Sequence, residues 1–327
     1  MGAGGAGALM ITRRQALGAG LLASIPACRH TSQKTIGVVP NAVSHLFFVS
    51  VHAGVDQAAR DFHVNALWNG PDNETDYTRQ IEIVDAMVAR RVDALAISAT
   101  EEHALAAPVE RAIRAGIPVT VFDSAVAIEN YVTFVATDNS GAGATAARTL
   151  ARLIGSQGSV GMVMQKPGGT STVLRERAFE DTIAKEFPGV RIVARQFGMA
   201  DPARSRAAAE NILTAHPDLS GLFASSEAAS IGAIQAARSR NLSGKLKLVT
   251  FDFSQTHVEG LQDGTVDVML VQDPFRIGYE AVKSLAMKLA GETPAHRLDL
   301  PVRLIVKADL EKPEIRALLS PEWMKAK

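Results

Sequence analysis

The chain is expected to fold as an α/β protein of two doubly wound, Rossmann-like lobes with parallel sheets, joined by a three-segment hinge. From Thr35 onward, short apolar runs alternate with amphipathic stretches of about 10 to 16 residues. Strands separated by helices of that length imply parallel pairing with right-handed crossovers. The strand–helix cycle begun at Thr35 begins again at Val160, and the roughly 300 residues after Cys28 exceed what one core usually organises.

Along the chain, the apolar run 35–40 gives the first strand, and Phe48, Val51, Val55, Ala58, Ala59 and Phe62 recur at helical spacing, predicting a helix over 48–61. Strands follow at 64–68, 94–97, 118–122 and 132–136, with helices at 77–90 and 105–115 between them. After a helix over 143–154 the second cycle places strands at 160–164, 191–197, 221–224, 247–251 and 266–271, interleaved with helices at 174–186, 204–215 and 228–240. A last long helix is expected over 274–289. Two similar lobes exchanging strands explain the echo, with crossings near Thr137-Asp138, Gln272-Asp273 and Pro301-Val302. The expected division is therefore 35–137 plus 273–301 for the first lobe and 138–272 plus 302–327 for the second.

Residues 1–28 have the layout of an export signal with a lipid-attachment site. Arg13-Arg14 precede an apolar stretch that closes at Ile25-Pro26-Ala27-Cys28. The twin arginine points to the route for prefolded proteins. The box at Cys28 is similar to that of bacterial lipoproteins, although Pro26 is an unusual neighbour. The stretch is short of the roughly 20 residues needed to span a bilayer, so the expectation is an extracytoplasmic protein touching the membrane only through lipid on Cys28. The competing reading starts the chain at Met10.

Lys plus Arg and Asp plus Glu are equal at 34 each, and losing Arg13 and Arg14 with the leader leaves a slight acid excess. That balance gives no basic surface for nucleic acid. One cysteine provides no disulfide framework and no cysteine-based metal site. The eight histidines are scattered without a His-x-x-x-His pair, so no metal is expected. The glycine-rich run 2–7 matches a dinucleotide fingerprint but precedes every strand. The run 141–146 follows a strand and opens a helix, yet the next strand ends Met164-Gln165-Lys166 without the acid that would hold a ribose hydroxyl. No cofactor is therefore expected. Asp123, Glu227 and Asp252 follow strands, but no flanking signature assigns an acid and a base. Catalysis is not expected.

In wound parallel sheets, ligands gather beyond the carboxyl ends of the strands. Those ends carry His45, Phe47 and Phe48, then Ser98, Asp123-Ser124, Thr137, Ser226, Phe251-Asp252 and Gln272, with Arg175 near the start of a helix. Aromatic faces for C–H surfaces beside carboxylates, a guanidinium and an amide for hydroxyls suit a sugar or polyol. The alternatives are local ones. Phe47 and Phe48 belong equally well to a core, Asp252 to a helix cap, and Arg175 to surface pairs with Glu176 or Glu180. Lys166 and Ser171 complete the candidate set.

At these residues the chain resembles the periplasmic sugar-binding proteins of the ribose/galactose type, over about Thr35 to Leu310. That family's Asn-x-Phe-Phe element appears as His45-Leu46-Phe47-Phe48, and its Asp-Arg pair as Asp123-Ser124. Arg175 before Phe179, Phe251-Asp252, and Gln272 followed by Asp273-Pro274 and Ile277-Gly278 match further positions. The resemblance implies a monomeric receptor that closes on a small sugar or polyol and presents it to the permease of an ABC importer. His45, Ser98, Ser124, Ser226 and Ala200 depart from the ribose pattern toward shorter or different side chains. The expectation that follows is a roomier site, with one guanidinium fewer, disfavouring ribose and favouring a bulkier sugar, a glycoside or a hydrated polyol. A periplasmic sensor shares the pattern. A lactose-repressor-type regulator needs a DNA-binding headpiece, for which the 34 residues before Thr35 read instead as a leader.

Overall fold

The computed structural model describes residues 1–5 and 33–319. Arg13-Arg14 and Cys28, on which the export and lipid-attachment expectations rest, lie outside the described residues, as do residues 320–327 of the expected second lobe. The described residues from Gln33 onward form one compact unit.

The element order is β1 (Thr35–Val39), α1 (Leu46–Asp61), β2 (Asn65–Trp68), α2 (Tyr77–Ala89), β3 (Ala94–Ile97), α3 (Ala106–Arg114), β4 (Val119–Phe122) and β5 (Phe134–Thr137). It continues with α4 (Asn139–Leu153), β6 (Gly158–Met164), α5 (Thr170–Glu186), β7 (Val190–Phe197), α6 (Pro202–Ala215), β8 (Gly221–Ala224), α7 (Glu227–Ser239) and β9 (Lys247–Phe251). α8 (Gln255–Asp263), β10 (Val268–Val271), α9 (Pro274–Leu289), β11 (Arg297–Leu300), β12 (Arg303–Ile305) and α10 (Pro313–Leu319) follow.

Two six-stranded sheets result, ordered β11-β5-β4-β3-β1-β2 and β12-β10-β9-β8-β6-β7. Each is covered on both faces. Val51, Val55 and Phe48 of α1 pack with Ile277 and Leu285 of α9 on one side of the first sheet, and Ile83, Val84 and Val109 of α2 and α3 on the other. In the second sheet, Leu150 and Phe179 of α4 and α5 oppose Ile212 and Ile234 of α6 and α7. Strands buried on both faces read as continuous apolar runs. β3, β4 and β8 are of that kind.

The second sheet departs from the expected all-parallel form, because β12 pairs antiparallel with β10. β11 runs parallel to β5, so the chain leaves the first sheet at the carboxyl edge and enters the second at the same edge. With only Pro301-Val302 between the strands, no helix returns the chain to the far edge, and β12 must run backwards. The chain passes between the sheets after β5, after β10 and after β11.

Two close helix contacts fix the architecture around the cleft. A Cβ on Gly54 would lie 1.9 Å from the Phe275 carbonyl oxygen and one on Gly278 2.1 Å from that of Val51, so α1 and α9 touch backbone to backbone. A Cβ on Gly143 would lie 2.0 Å from the Arg175 carbonyl oxygen. The small residues at 141–146 therefore seat α5 on α4, and with it the Arg175 side chain.

Candidate functional site

The carboxyl ends of β1, β3 and β4 face those of β6, β8 and β9 across a cleft, and the residues that turn the chain there supply its side chains. Asp123 after β4 and Asp252 after β9 both take left-handed backbone conformations, with φ of 56° and 68°. Aspartate tolerates that region better than most residues. Both side chains are nearly buried, at 6% and 7% exposure. Asp252 Oδ2 accepts from Glu227 N at 3.0 Å and Oδ1 from Gln272 Nε2 at 2.7 Å.

Arg175 is the largest fully buried side chain in the cleft, and its guanidinium lies 3.4 Å from the centroid of the Phe251 ring. Its Nη2 donates to Asn139 Oδ1 at 2.8 Å and its Nη1 to the Ser225 carbonyl. The surface pairs with Glu176 or Glu180 are not formed: Glu180 pairs with Arg195, and Glu176 accepts from Gln165 N and Ser225 Oγ. Among the described residues, Arg175 Nε has no hydrogen-bond partner. A buried donor left in that condition is costly and points toward something that enters the cleft.

An inner cavity of about 40 Å³ is lined by His45, Phe47, Phe48, Asp123, Ser124, Ser171, Arg175, Ser226, Asp252 and Gln272. The other four candidates stand behind it. Ser98 Oγ donates to Asn41 and, at 3.2 Å, contacts Asp123 Oδ2; Thr137 Oγ1 donates to Gln272 Oε1 at 2.6 Å. Lys166 Nζ donates to the Thr100 carbonyl at 2.5 Å, and Phe251 lies under the guanidinium. Phe47 and Phe48 meet edge to face with centroids 5.1 Å apart. Phe48 belongs to the core as well as to the cavity wall, at 2% exposure.

The expected extra room is absent from this inner cavity. On the scale by which a water needs about 10–15 Å³, it admits about three waters. Each serine that shortens a wall has a companion filling the space: Asn41 beside Ser98, Ser171 Oγ at 2.9 Å from Ser124 Oγ, and Gln165 accepting from Ser226. Glu74 narrows the cavity further.

Glu74, Gln165 and Asn41 escaped the sequence reading. Glu74 Oε1 lies 3.3 Å from His45 Nδ1, and Gln165 Nε2 donates to Glu74 Oε2 at 3.1 Å, reaching across from the second lobe. The Gly70-Pro71-Asp72-Asn73 turn after β2 was the available signal, since it marks another strand end facing the cleft. Gln165 follows β6 in the same way.

The electrostatics follow from many acids and few cations in a small, largely buried space. Burial, reinforced by the Glu74 charge and opposed by Arg175, pushes Asp123 up to about 7. Burial likewise raises Glu227 to about 7, against the hydrogen bond from Phe47 N and with the Asp252 charge adding to it. Asp252 is raised by burial despite Arg175. Burial would depress His45 and raise Glu74, but their mutual hydrogen bond and charge outweigh it, so His45 is raised and Glu74 lowered. Burial lowers Lys166, with Glu74 and Glu101 opposing. Among the described residues no group of three or more His, Cys, Asp or Glu is placed to hold a metal ion.

Comparison with known proteins gives the same outline. The chain is 29% identical to the D-ribose/D-allose-binding protein of Pseudomonas aeruginosa over 282 residues, covering 83% of this chain and 88% of that one. It is 27% identical to the ribose import binding protein of Bacillus subtilis over 271 residues, covering 83% and 86%. A carbohydrate transporter solute-binding protein from Agrobacterium radiobacter, solved in complex with D-arabinose, superposes with a TM-score of 0.85 at 30% identity, covering 88% of this chain and 99% of that one. Two wound sheets facing each other across a polar cleft, and a sequence match over residues 36–293, place this chain in the periplasmic binding protein domain family.

Proposed function

We propose that the protein captures a small carbohydrate or polyol between its two lobes outside the cytoplasm and delivers it to the permease of an ABC importer. The observation that carries this reading is the convergence of Phe47 and Asp123 from one lobe with Arg175 and Asp252 from the other on a single cavity. Carboxylates and a guanidinium give short, directional bonds to hydroxyls, and the aromatic edge covers C–H surface. The sugars named for the relatives support the ligand class. Capture is physical: neither half-site satisfies a ligand alone, so ligand favours the closed arrangement. A pentose or hexose ring exceeds the inner cavity as it stands, so binding requires the lobes to part about the crossings near residues 137, 272 and 301 and to close around the ring less tightly than here.

The candidate set His45, Phe47, Phe48, Asp123, Ser124, Ser171, Arg175, Ser226, Asp252 and Gln272 contacts the ligand, with Ser98, Thr137, Lys166 and Phe251 holding it in place. Arg13-Arg14 direct export, and acylation of Cys28 keeps the receptor near its permease; stable attachment takes more than one acyl chain. Binding without turnover is the expected activity.

A thermal-shift screen against pentoses, hexoses, polyols and glycosides tests the reading. A ligand at a hundredfold excess over its dissociation constant stabilises the folded state by about 2.7 kcal/mol. No shift with any carbohydrate overturns the proposal.

A further inference from the structure

A second cavity, of about 480 Å³, adjoins the first, and His45 and Glu227 contribute to the walls of both. The first lobe supplies Asn73 and Thr75 to it, the second Ala200 and Arg204. We infer that this outer cavity is a subsite for a second unit of the ligand, so that the preferred ligand is a glycoside or short oligosaccharide in place of a free monosaccharide. The inference rests on the carbohydrate reading above.

Three observations carry it. The first is open space on the His45 and Glu227 side of the inner site. The serines of the inner site are backed by neighbouring side chains, whereas the small side chain of Ala200, 7% exposed, faces open volume. Met199 and Ala200 both adopt left-handed conformations, with φ of 55° and 56°. Non-glycine residues in that region are uncommon and are held there only by their surroundings. Here Ala200 N donates to the Gln165 carbonyl at 3.2 Å, tying the turn to the strand end beside the inner cavity.

The second is the wall chemistry. Apolar surface from Met199, Ala200 and Ile231 lies beside polar groups from Asn73, Thr75 and Arg204. Asn73 Oδ1 is engaged by Thr75 N and Oγ1 at 3.2 and 2.6 Å, which orients its amide donors away from its own turn. The Arg204 guanidinium makes no ion pair among the described residues; only its backbone N–H is bonded, to Asp201 Oδ1. A sugar ring, with C–H faces and a hydroxyl rim, matches that mixture.

The third is that both lobes contribute walls, so an occupant of the outer cavity adds to closure.

Titration calorimetry with matched ligands tests this: D-ribose, D-arabinose, D-glucose and D-galactose, their 4-nitrophenyl glycosides, and the disaccharides maltose, lactose and melibiose. At least one glycoside or disaccharide is expected to bind about tenfold or more tighter than its parent sugar. Thr75→Trp, which fills the outer cavity from an exposed position, is expected to erase that advantage and leave the parent sugar within about twofold. Arg204→Leu, on the opposite wall, serves if Thr75→Trp does not fold. Free sugars that bind as tightly as every glycoside and disaccharide, or variants that weaken both classes equally, overturn the subsite and leave the carbohydrate reading intact. Failure of every carbohydrate to bind overturns both.

Discussion

Glu227 Oε2 accepts a 3.0 Å hydrogen bond from the Phe47 backbone N–H, and Oε1 a 3.3 Å bond from that of Leu46. A side chain from the second lobe thus caps α1 of the first. His45, in the N-cap position, makes no side-chain cap bond of its own, so two of the helix's orphan donors depend on the facing lobe. Glu227 is itself the first residue of α7. Closure therefore joins two helix N-termini through one carboxylate, alongside the bonds from Ala125 N to Thr170 Oγ1 at 2.7 Å and between Ser124 and Ser171.

Glu227→Ala is accordingly expected to weaken the closed arrangement by about 1 kcal/mol, the usual worth of a helix cap. Ligand affinity should drop by about fivefold, with a larger radius of gyration in solution scattering. Glu227→Gln, which keeps one acceptor, should fall between the two. An unchanged affinity for Glu227→Ala removes the trans cap from the account.

Arg175 shares the cavity with Asp123 and Asp252, and burial lowers its pKa against their opposing charges. Replacing it removes a charge that favours the ionised carboxylates and leaves the Asn139 and Ser225 acceptors unpaired, a loss of about 1–3 kcal/mol for buried polar groups left unsatisfied. Arg175→Met should lower the unfolding free energy by an amount in that range at pH 7 and recover part of it at pH 5, where the acids take up protons. Arg175→Lys keeps the charge but loses the ring stacking and the two-sided bonds to Asn139 and Ser225. It should retain stability better than it retains ligand binding. Chemical denaturation at the two pH values checks both statements.

Asp123, pushed up to about 7 by burial and by Glu74, is expected to give ligand binding a pH dependence. A hydroxyl donating to the carboxylate favours its ionised form, so binding releases a proton below that pKa. Affinity should be level above about pH 7 and fall as pH drops, approaching about tenfold per unit from this group. Asp123→Asn should flatten the profile. A wild-type profile flat from pH 5 to 8 contradicts the assignment.

His257 is fully buried, its Nε2 3.1 Å from the Phe251 carbonyl and its Nδ1 2.8 Å from Ser254 Oγ. The carbonyl must accept, so Nε2 carries the proton and Nδ1 accepts from the serine. Burial pulls its pKa down to about 4. A depressed base contributes stability that is whole above its unfolded value near 6.5 and is lost as pH falls toward 4. The unfolding free energy of the protein relative to His257→Gln should therefore decline by up to about 3 kcal/mol across that window and be constant above it. A constant difference from pH 4 to 8 would show that His257 is not buried neutral.

Apart from α8, the alternation of strands and helices as far as Leu289 is legible because most of the strands that carry it, the less buried edge strands β2 and β7 aside, are apolar runs buried on at least one face. β11 and β12 are not: both lie at sheet edges, and Arg297, Asp299 and Arg303 break their apolar pattern. Asp123, Arg175 and Asp252 stand out in sequence as polar residues directly after such runs or beside a recognisable motif. Glu74 and Gln165 follow strands too, but nothing local distinguishes a carboxylate in a turn from a solvated one. Their pairing across the cleft joins residues 91 positions apart in the chain, a relation that only the packed lobes reveal. The filling of the space beside Ser98, Ser124 and Ser226 is equally non-local, which is why side-chain size along the sequence suggested a larger inner cavity than the fold contains.

A ligand site divided between two lobes needs a contribution from each. Titration calorimetry of the tightest-binding carbohydrate into Asp123→Asn and, separately, Asp252→Asn tests it most directly. Each carboxylate removed from its own lobe should cost about tenfold to a hundredfold in affinity, the worth of charged hydrogen bonds to hydroxyls. Full affinity in either variant would place the site in a single lobe and contradict the account.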